Sequence, residues 1–289
     1  MFNSFQRNFL KFKAGNFSLV IFFIGLSLLN NVQIRAQGNL LVDPHRIIFE
    51  GQKKIMNISL INNGKDSTNY SISFLQYRMT DDGEYEEITT PDPNQNFADK
   101  YIHFFPHSVI LGPYETQVVK LELLKSEELQ SGEYRSHLYF RALPTQKVLG
   151  EEETKKATSD IIIKIVPIFG ISIPILIRVG ESTTVLNITE LKVEKSDNFT
   201  NRLLLTIHRT GNMSVVFDIS VKYIAQNGKE TQIGLKEGTV VYTPNSIRKY
   251  KIFLDNKTNV DLSKGKLRIA CTTKKGNSIV TLADEELFL

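Results

Sequence analysis

A single cysteine, Cys271, is found among the 289 residues. That excludes an internal disulfide framework, so stability has to come from a packed core. Cys271 lies in the alternating run KLRIACTT, where a buried small apolar side chain is expected. Catalytic signatures are as scarce. The five histidines are His45, His103, His107, His137 and His208, and no HExxH pair occurs. His103 and His107 are four apart, but Pro106 between them denies them a shared helical face. No GxSxG, P-loop or GxGxxG segment is present. These absences argue for a binding protein, not an enzyme, and imply no metal and no cofactor. Helices of ordinary length are missing too, with at most one turn expected in SEELQSGEY.

An excess of basic charge is only apparent. The formal net charge of +4 comes from the N-terminal segment, which holds Arg7, Lys11, Lys13 and Arg35 and no acid. Removing these four from the 35 basic residues leaves 31, equal to the 31 acidic ones. A nucleic-acid partner, which needs a basic face, is not indicated. The same segment has the three parts of a secretory signal: a basic start, the apolar run Phe17–Leu29, and Ile34 and Ala36 at the positions a signal peptidase reads. The apolar run is short against the roughly 20 residues a membrane span needs. Residues 1–36 are expected to be cleaved, leaving an exported chain from Gln37 with no membrane span.

Short runs rich in Ile, Val, Tyr and Phe fill the rest. They include NLLVDPHRIIFE, IMNISLINN, TNYSISFLQYRM, FFPHSVILGP, TQVVKLELL and YRSHLYFRALP, separated by turn formers such as NNGKDS and DDGE. This pattern predicts an all-β protein. In IMNISLINN, Met56, Ile58 and Leu60 form the expected core face. The pattern restarts after Gly180, so two β-sandwich domains of about 100 to 140 residues are expected, 37–178 and 179–289. No Gly/Ser linker separates them, which favours a fixed angle.

The segment IIIKIVPIFGISIPILIRVG, from Ile161 to Gly180, is the most apolar outside the N-terminus. Lys164, Pro167 and Pro174 argue against a membrane helix. Pro167 argues against a central strand, so an edge strand is expected, carrying Ile161, Ile163, Ile165, Phe169, Ile171 and Ile173 on one face. An exposed apolar edge invites association, and strand addition is the matching mode of recognition.

Three motifs in order then resemble one family. DPHRIIFEG, FFPHSVILGPYETQVVKLELL and SGEYRSHLYFRALP are similar to segments of the PapD-like periplasmic pilus chaperones of the chaperone–usher pathway. The resemblance covers nearly all of the first domain, while the second matches only in length and β-character. It implies two immunoglobulin-like sandwiches in tandem, in a boomerang-like arrangement, and a periplasmic location. It implies a chaperone that caps an incomplete pilin-like fibre subunit by lending a donor strand, here Ile161, Ile163, Ile165, Pro167 and Phe169. Arg46 matches the arginine that pairs with the subunit's C-terminal carboxylate, and Arg178 an arginine that holds the domains together. The family's second cleft cation falls at Pro174, a departure that leaves the clamp incomplete or Arg178 or Lys164 as substitutes. An outer-membrane usher is a further implied partner, and the exposed edge itself makes a self-capping homodimer an expectation. The alternative is a secreted structural or adhesion protein with no client.

Overall fold

The computed structural model describes residues 40–144, 168–195, 201–255 and 260–289. The first part of the chain forms β1 (Leu40–Asp43), β2 (Ile47–Glu50), β3 (Ile55–Asn62), β4 (Thr68–Leu75), β5 (Tyr77–Met79), β6 (Tyr85–Glu87), β7 (Ile102–Phe105), β8 (Ser108–Leu111), β9 (Thr116–Leu123), β10 (Gly132–Leu143) and β11 (Gly170–Val179). One sheet has the order β1-β3-β9-β7 and the facing sheet β2-β11-β10-β4-β8. The second part forms β12 (Val185–Lys195), β13 (Asn201–Thr210), β14 (Val215–Ile224), β15 (Glu230–Val241), β16 (Ile247–Phe253), β17 (Lys266–Lys275) and β18 (Ser278–Phe288). These give the sheets β12-β13-β16 and β15-β14-β17-β18. The protein is therefore a tandem of two immunoglobulin-like β-sandwiches.

Period-two alternation builds both cores. In β3, Ile58 and Leu60 are fully buried and Met56 packs against the same cluster, the face its sequence selects. Beside them in the same sheet is Leu121 of β9, and from the facing sheet come Leu138 and Phe140 of β10 and Ile173, Ile175 and Ile177 of β11. Each such side chain contributes about 1.5–3 kcal/mol on leaving water. A second core gathers Leu203, Leu205, Phe217, Ile219, Val221, Leu267, Ile269 and Cys271. Cys271 is fully buried, and burial pushes its thiol up to about 12. A 3-10 turn at Ser126–Glu128 falls within the segment read as one turn.

Several of the apolar runs hold more than one strand. NLLVDPHRIIFE divides at Pro44 into β1 and β2, which lie in opposite sheets. FFPHSVILGP divides at Pro106 into β7 and β8, again in opposite sheets. Proline donates no ladder bond, so the chain changes sheet where the ladder is interrupted. TNYSISFLQYRM divides at Gln76, and β5 leaves the sandwich to form a two-stranded hairpin with β6.

The apolar segment also departs from a simple edge strand. β11 pairs antiparallel with β10 along Gly170–Val179, but β2 pairs with it in parallel over Ile175–Arg178. Its C-terminal half is thus central, which explains why Ile175, Leu176 and Ile177 are buried although their side chains alternate between faces. Among the described residues, no second strand neighbours β11 over Gly170–Pro174. The Phe169 carbonyl accepts from the Ala142 N–H. Alternation from that bond places Pro174 at a non-hydrogen-bonded pair with His137, so its missing N–H faces away from β10.

Candidate functional site

Residues alternate across β10. Leu138, Phe140 and Ala142 enter the first core, while Glu133, Arg135, His137, Tyr139 and Arg141 point to the opposite side of the sheet. Cross-strand register arranges that outer side in rows. Glu133 stands opposite Arg178, Arg135 opposite Leu176, His137 between Pro174 and Leu75, and Tyr139 between Ser172 and Ser73. Because Ile47 of β2 pairs with Ile175, the preceding Arg46 comes level with Pro174 and shares the row of His137. Arg46 is half-buried, and its Nε is shielded from solvent without a hydrogen-bond partner. Among the described residues no carboxylate is paired with it.

The lower rows of this face meet the second sandwich. Met79, Leu176, Val240 and Tyr242 form a small buried cluster, with Ile48 and Val216 packed against it. Beside it lies a polar network around Glu133, whose side chain is 0 % exposed. Its Oε2 accepts from Arg178 Nε at 3.0 Å and from the Ser214 N–H at 3.1 Å. Its Oε1 accepts from the Ser214 hydroxyl and, at 3.2 Å, from the Thr243 hydroxyl. Arg178 Nη2 also donates to the Ser214 carbonyl at 2.7 Å. Arg178 therefore has its acidic partner on the neighbouring strand, and the pair is bound to the second sandwich by the Ser214 main chain and the Ser214 and Thr243 hydroxyls. Arg135 donates to the carbonyls of Tyr77 and Thr243 and stacks on Tyr242 at 4.6 Å. Every oxygen of the buried carboxylate is thus satisfied, the condition for an ion pair to survive burial.

The β5–β6 hairpin braces the same contact. Its turn, at the turn former DDGE, accepts the Lys249 N–H at the Asp81 carbonyl, 2.7 Å away. Asn245 Nδ2 donates to the Met79 carbonyl at 2.6 Å. Gly83 suits this turn because its φ is +85°, a conformation L side chains rarely adopt, and a Cβ there would also displace the Arg248 guanidinium.

Of the residues singled out from sequence, Arg46 and Arg178 lie on this outer face. Phe169, 46 % exposed, lies just before β11 beside exposed Ile168. Ile161, Ile163, Ile165 and Pro167, with Lys164, lie outside the described residues. Glu133, Arg135, His137 and the hairpin tyrosines were not singled out. Their signal was present: GEYRSHLYFRAL puts two charges and a histidine at alternate positions of a strand whose other face is apolar, which calls for partners on the second face. Among the described residues, no group of three or more His, Cys, Asp or Glu side chains is placed to hold a metal. No helix among them is long and apolar enough to cross a membrane.

No protein-family model matches the chain, and no curated protein matches its sequence. Solved structures similar to it are fimbrial chaperones. The YadV chaperone is 12 % identical with a TM-score of 0.44, over 87 % of this chain and 100 % of that one. The Pseudomonas aeruginosa CupB2 chaperone is 12 % identical with a TM-score of 0.40, over 86 % and 100 %. A chain of the complex of Salmonella enterica SafA pilin with the SafB chaperone is 11 % identical with a TM-score of 0.41, over 88 % and 98 %. Identities and TM-scores this low establish no shared function.

Proposed function

We propose that the protein is an exported, periplasmic chaperone, without enzymatic activity, that caps a fibre subunit by lending it a strand. Residues 1–36 act as the export signal, 37–178 form the strand-donating domain and 179–289 the supporting one. The observation that carries this reading is the free flank of β11 over Gly170–Pro174, with Arg46 beside it. β2 covers β11 only from Ile175. Among the described residues no strand takes up the main-chain groups on that flank before Ile175, and Arg46 stands where the flank ends. A guanidinium with an unsatisfied Nε suits a carboxylate. The client's C-terminal carboxylate binds there, and the client's own edge runs along the segment ending at Phe169. Ile161, Ile163 and Ile165 supply side chains to its groove, each contributing about 1.5–3 kcal/mol before the cost of association is subtracted. Arg178, bound to Glu133 and to the Ser214 carbonyl, keeps the two sandwiches in one orientation. An outer-membrane usher would take the subunit onward, and without a client a second copy would cover the same edge.

The test is purification of the tagged protein from its own periplasm, beside the Ile163→Asp/Ile165→Asp variant and an Arg46→Ala variant. A small β-rich exported protein held in stoichiometric amount by the wild type, and lost from both folded variants, is expected. Equal recovery of the same partners by all three would refute strand donation and favour a structural or adhesive role.

A further inference from the structure

We propose that the contact between the two sandwiches is a proton-sensitive clasp, shut while the ring of His137 is neutral and released when that ring is protonated. The inference concerns the chain alone and does not depend on the identity of a client. His137 is 3 % exposed and stands where three separate elements meet. Tyr77 of β5 contacts its ring edge-to-face with centroids 4.9 Å apart. Tyr85 of β6 does so at 5.8 Å. Tyr242, which follows β15 in the second sandwich, completes the enclosure at 6.3 Å. The ring is therefore part of the packing that joins the sandwiches.

Among the described residues, no free carboxylate faces the ring to receive a second positive charge; the unpartnered acceptors beside it in register, Ser172 Oγ and Gln76 Oε1, are neutral. On its own strand the groups sharing its face are Arg135 and Tyr139. From the neighbouring strands come Pro174 of β11 and Leu75 of β4, neither of which titrates, and the hairpin and the second sandwich contribute the three tyrosines. Arg46, level with Pro174 on the far side, is a further cation. Glu87 lies opposite Tyr77 in the hairpin but is exposed, and Glu133 is engaged by Arg178, Ser214 and Thr243. His137 Nδ1 is buried with no hydrogen-bond partner, so a proton added there would find no acceptor. Contact with tyrosine rings returns to a cation only part of the hydration that burial removes.

The sign follows directly. Burial and then the charge of Arg135 hold the enclosed ring at about 3, whereas a ring released into water returns to about 6.5. The depressed value favours the closed contact above the free pKa. Closure weakens about tenfold per pH unit below it, until the enclosed ring itself protonates. At pH 5.0 the closing equilibrium should therefore have fallen about thirty-fold from its value near pH 7.5.

Hydrogen exchange of the full chain at pH 7.5 and 5.0, corrected for the intrinsic chemical rate, reads this equilibrium. Segments 77–88 and 240–250 contain the hairpin and the second-sandwich residues that hold it, including the Lys249 N–H bound to Asp81. About a thirty-fold loss of protection is expected there at pH 5.0, with 203–207 in the second core unchanged. His137→Phe keeps an aromatic ring and leaves Glu133 and its donors in place, and it should remove the loss. Absence of the loss in the wild type, or an equal loss in His137→Phe, would overturn the proposal. If that variant does not fold, NMR titration of the wild-type His137 ring decides. A neutral ring down to pH 5 in the closed protein is expected, and titration near 6.5 with the contact intact would overturn the clasp.

Discussion

Replacement of Glu133 by alanine should cost far more than the loss of one surface ion pair. Its carboxylate has no exposed surface and takes bonds from Arg178, the Ser214 N–H and hydroxyl, and the Thr243 hydroxyl. Arg178 is only 17 % exposed at its side chain, so the guanidinium left behind cannot be fully rehydrated. The Ser214 N–H is left without its acceptor in a buried position. Arg135, 2 % exposed, and Arg209, 4 % exposed, would then crowd positive charge around the vacancy. Breaking one side of a buried pair costs about 3–5 kcal/mol, and that range is expected here. Urea unfolding followed by far-UV circular dichroism measures it. The midpoint should fall, and because the carboxylate joins both sandwiches, the single transition should separate into two. Glu133→Met/Arg178→Met removes both charges while keeping the volume, and should recover most of the loss. A loss below about 1 kcal/mol in Glu133→Ala, or a double variant no better than the single one, would refute the assignment of a buried, interface-spanning charge.

Other expectations follow from the cores and the turns. Phe140→Ala empties a fully buried site in the first core and should cost about 3–5 kcal/mol in chemical denaturation. Asn62, 1 % exposed, donates through Nδ2 to the carbonyls of Leu111 and Gly112 and accepts the Gly64 N–H. Asn62→Leu should therefore lose about 1–3 kcal/mol by the same measurement. Gly211 has φ +91°, and a Cβ there would meet the Thr183 carbonyl oxygen at 2.4 Å, so Gly211→Ala should lower the melting temperature measurably. The Cys271 thiol, fully buried and held at about 12, should react with a disulfide reagent only after denaturant is added.

Much of the architecture was legible because alternation is a local signal. Ile58 and Leu60 could be assigned to a core from IMNISLINN alone, and the restart of the pattern after Gly180 marked a second sandwich. Sheet membership was less legible. A run such as FFPHSVILGP looks continuous, since both halves have the same composition, and only three-dimensional pairing shows β7 and β8 in different sheets. The hairpin β5–β6 was hidden for the same reason: Gln76 is the only residue between β4 and β5, and no Gly or Pro marks the point where the chain leaves the sheet.

The outer face of β10 shows why a candidate functional face is harder to read than a core. Arg46 and Pro174 are 128 positions apart in sequence, yet the parallel pairing of β2 with β11 sets them level. Within the described part of β11, that pairing leaves Gly170–Pro174 as the uncovered flank. Apolar composition alone could not make this distinction, because a central strand and an exposed edge both favour isoleucine. The proline then acquires a specific meaning. With its missing N–H directed away from β10, Pro174 removes a donor from the exposed flank just where β2 begins to cover it. A strand added along that flank would lose one main-chain bond at this position and meet Arg46 beside it. On the proposed reading, an incoming chain would end there, with a terminal carboxylate, instead of continuing past it.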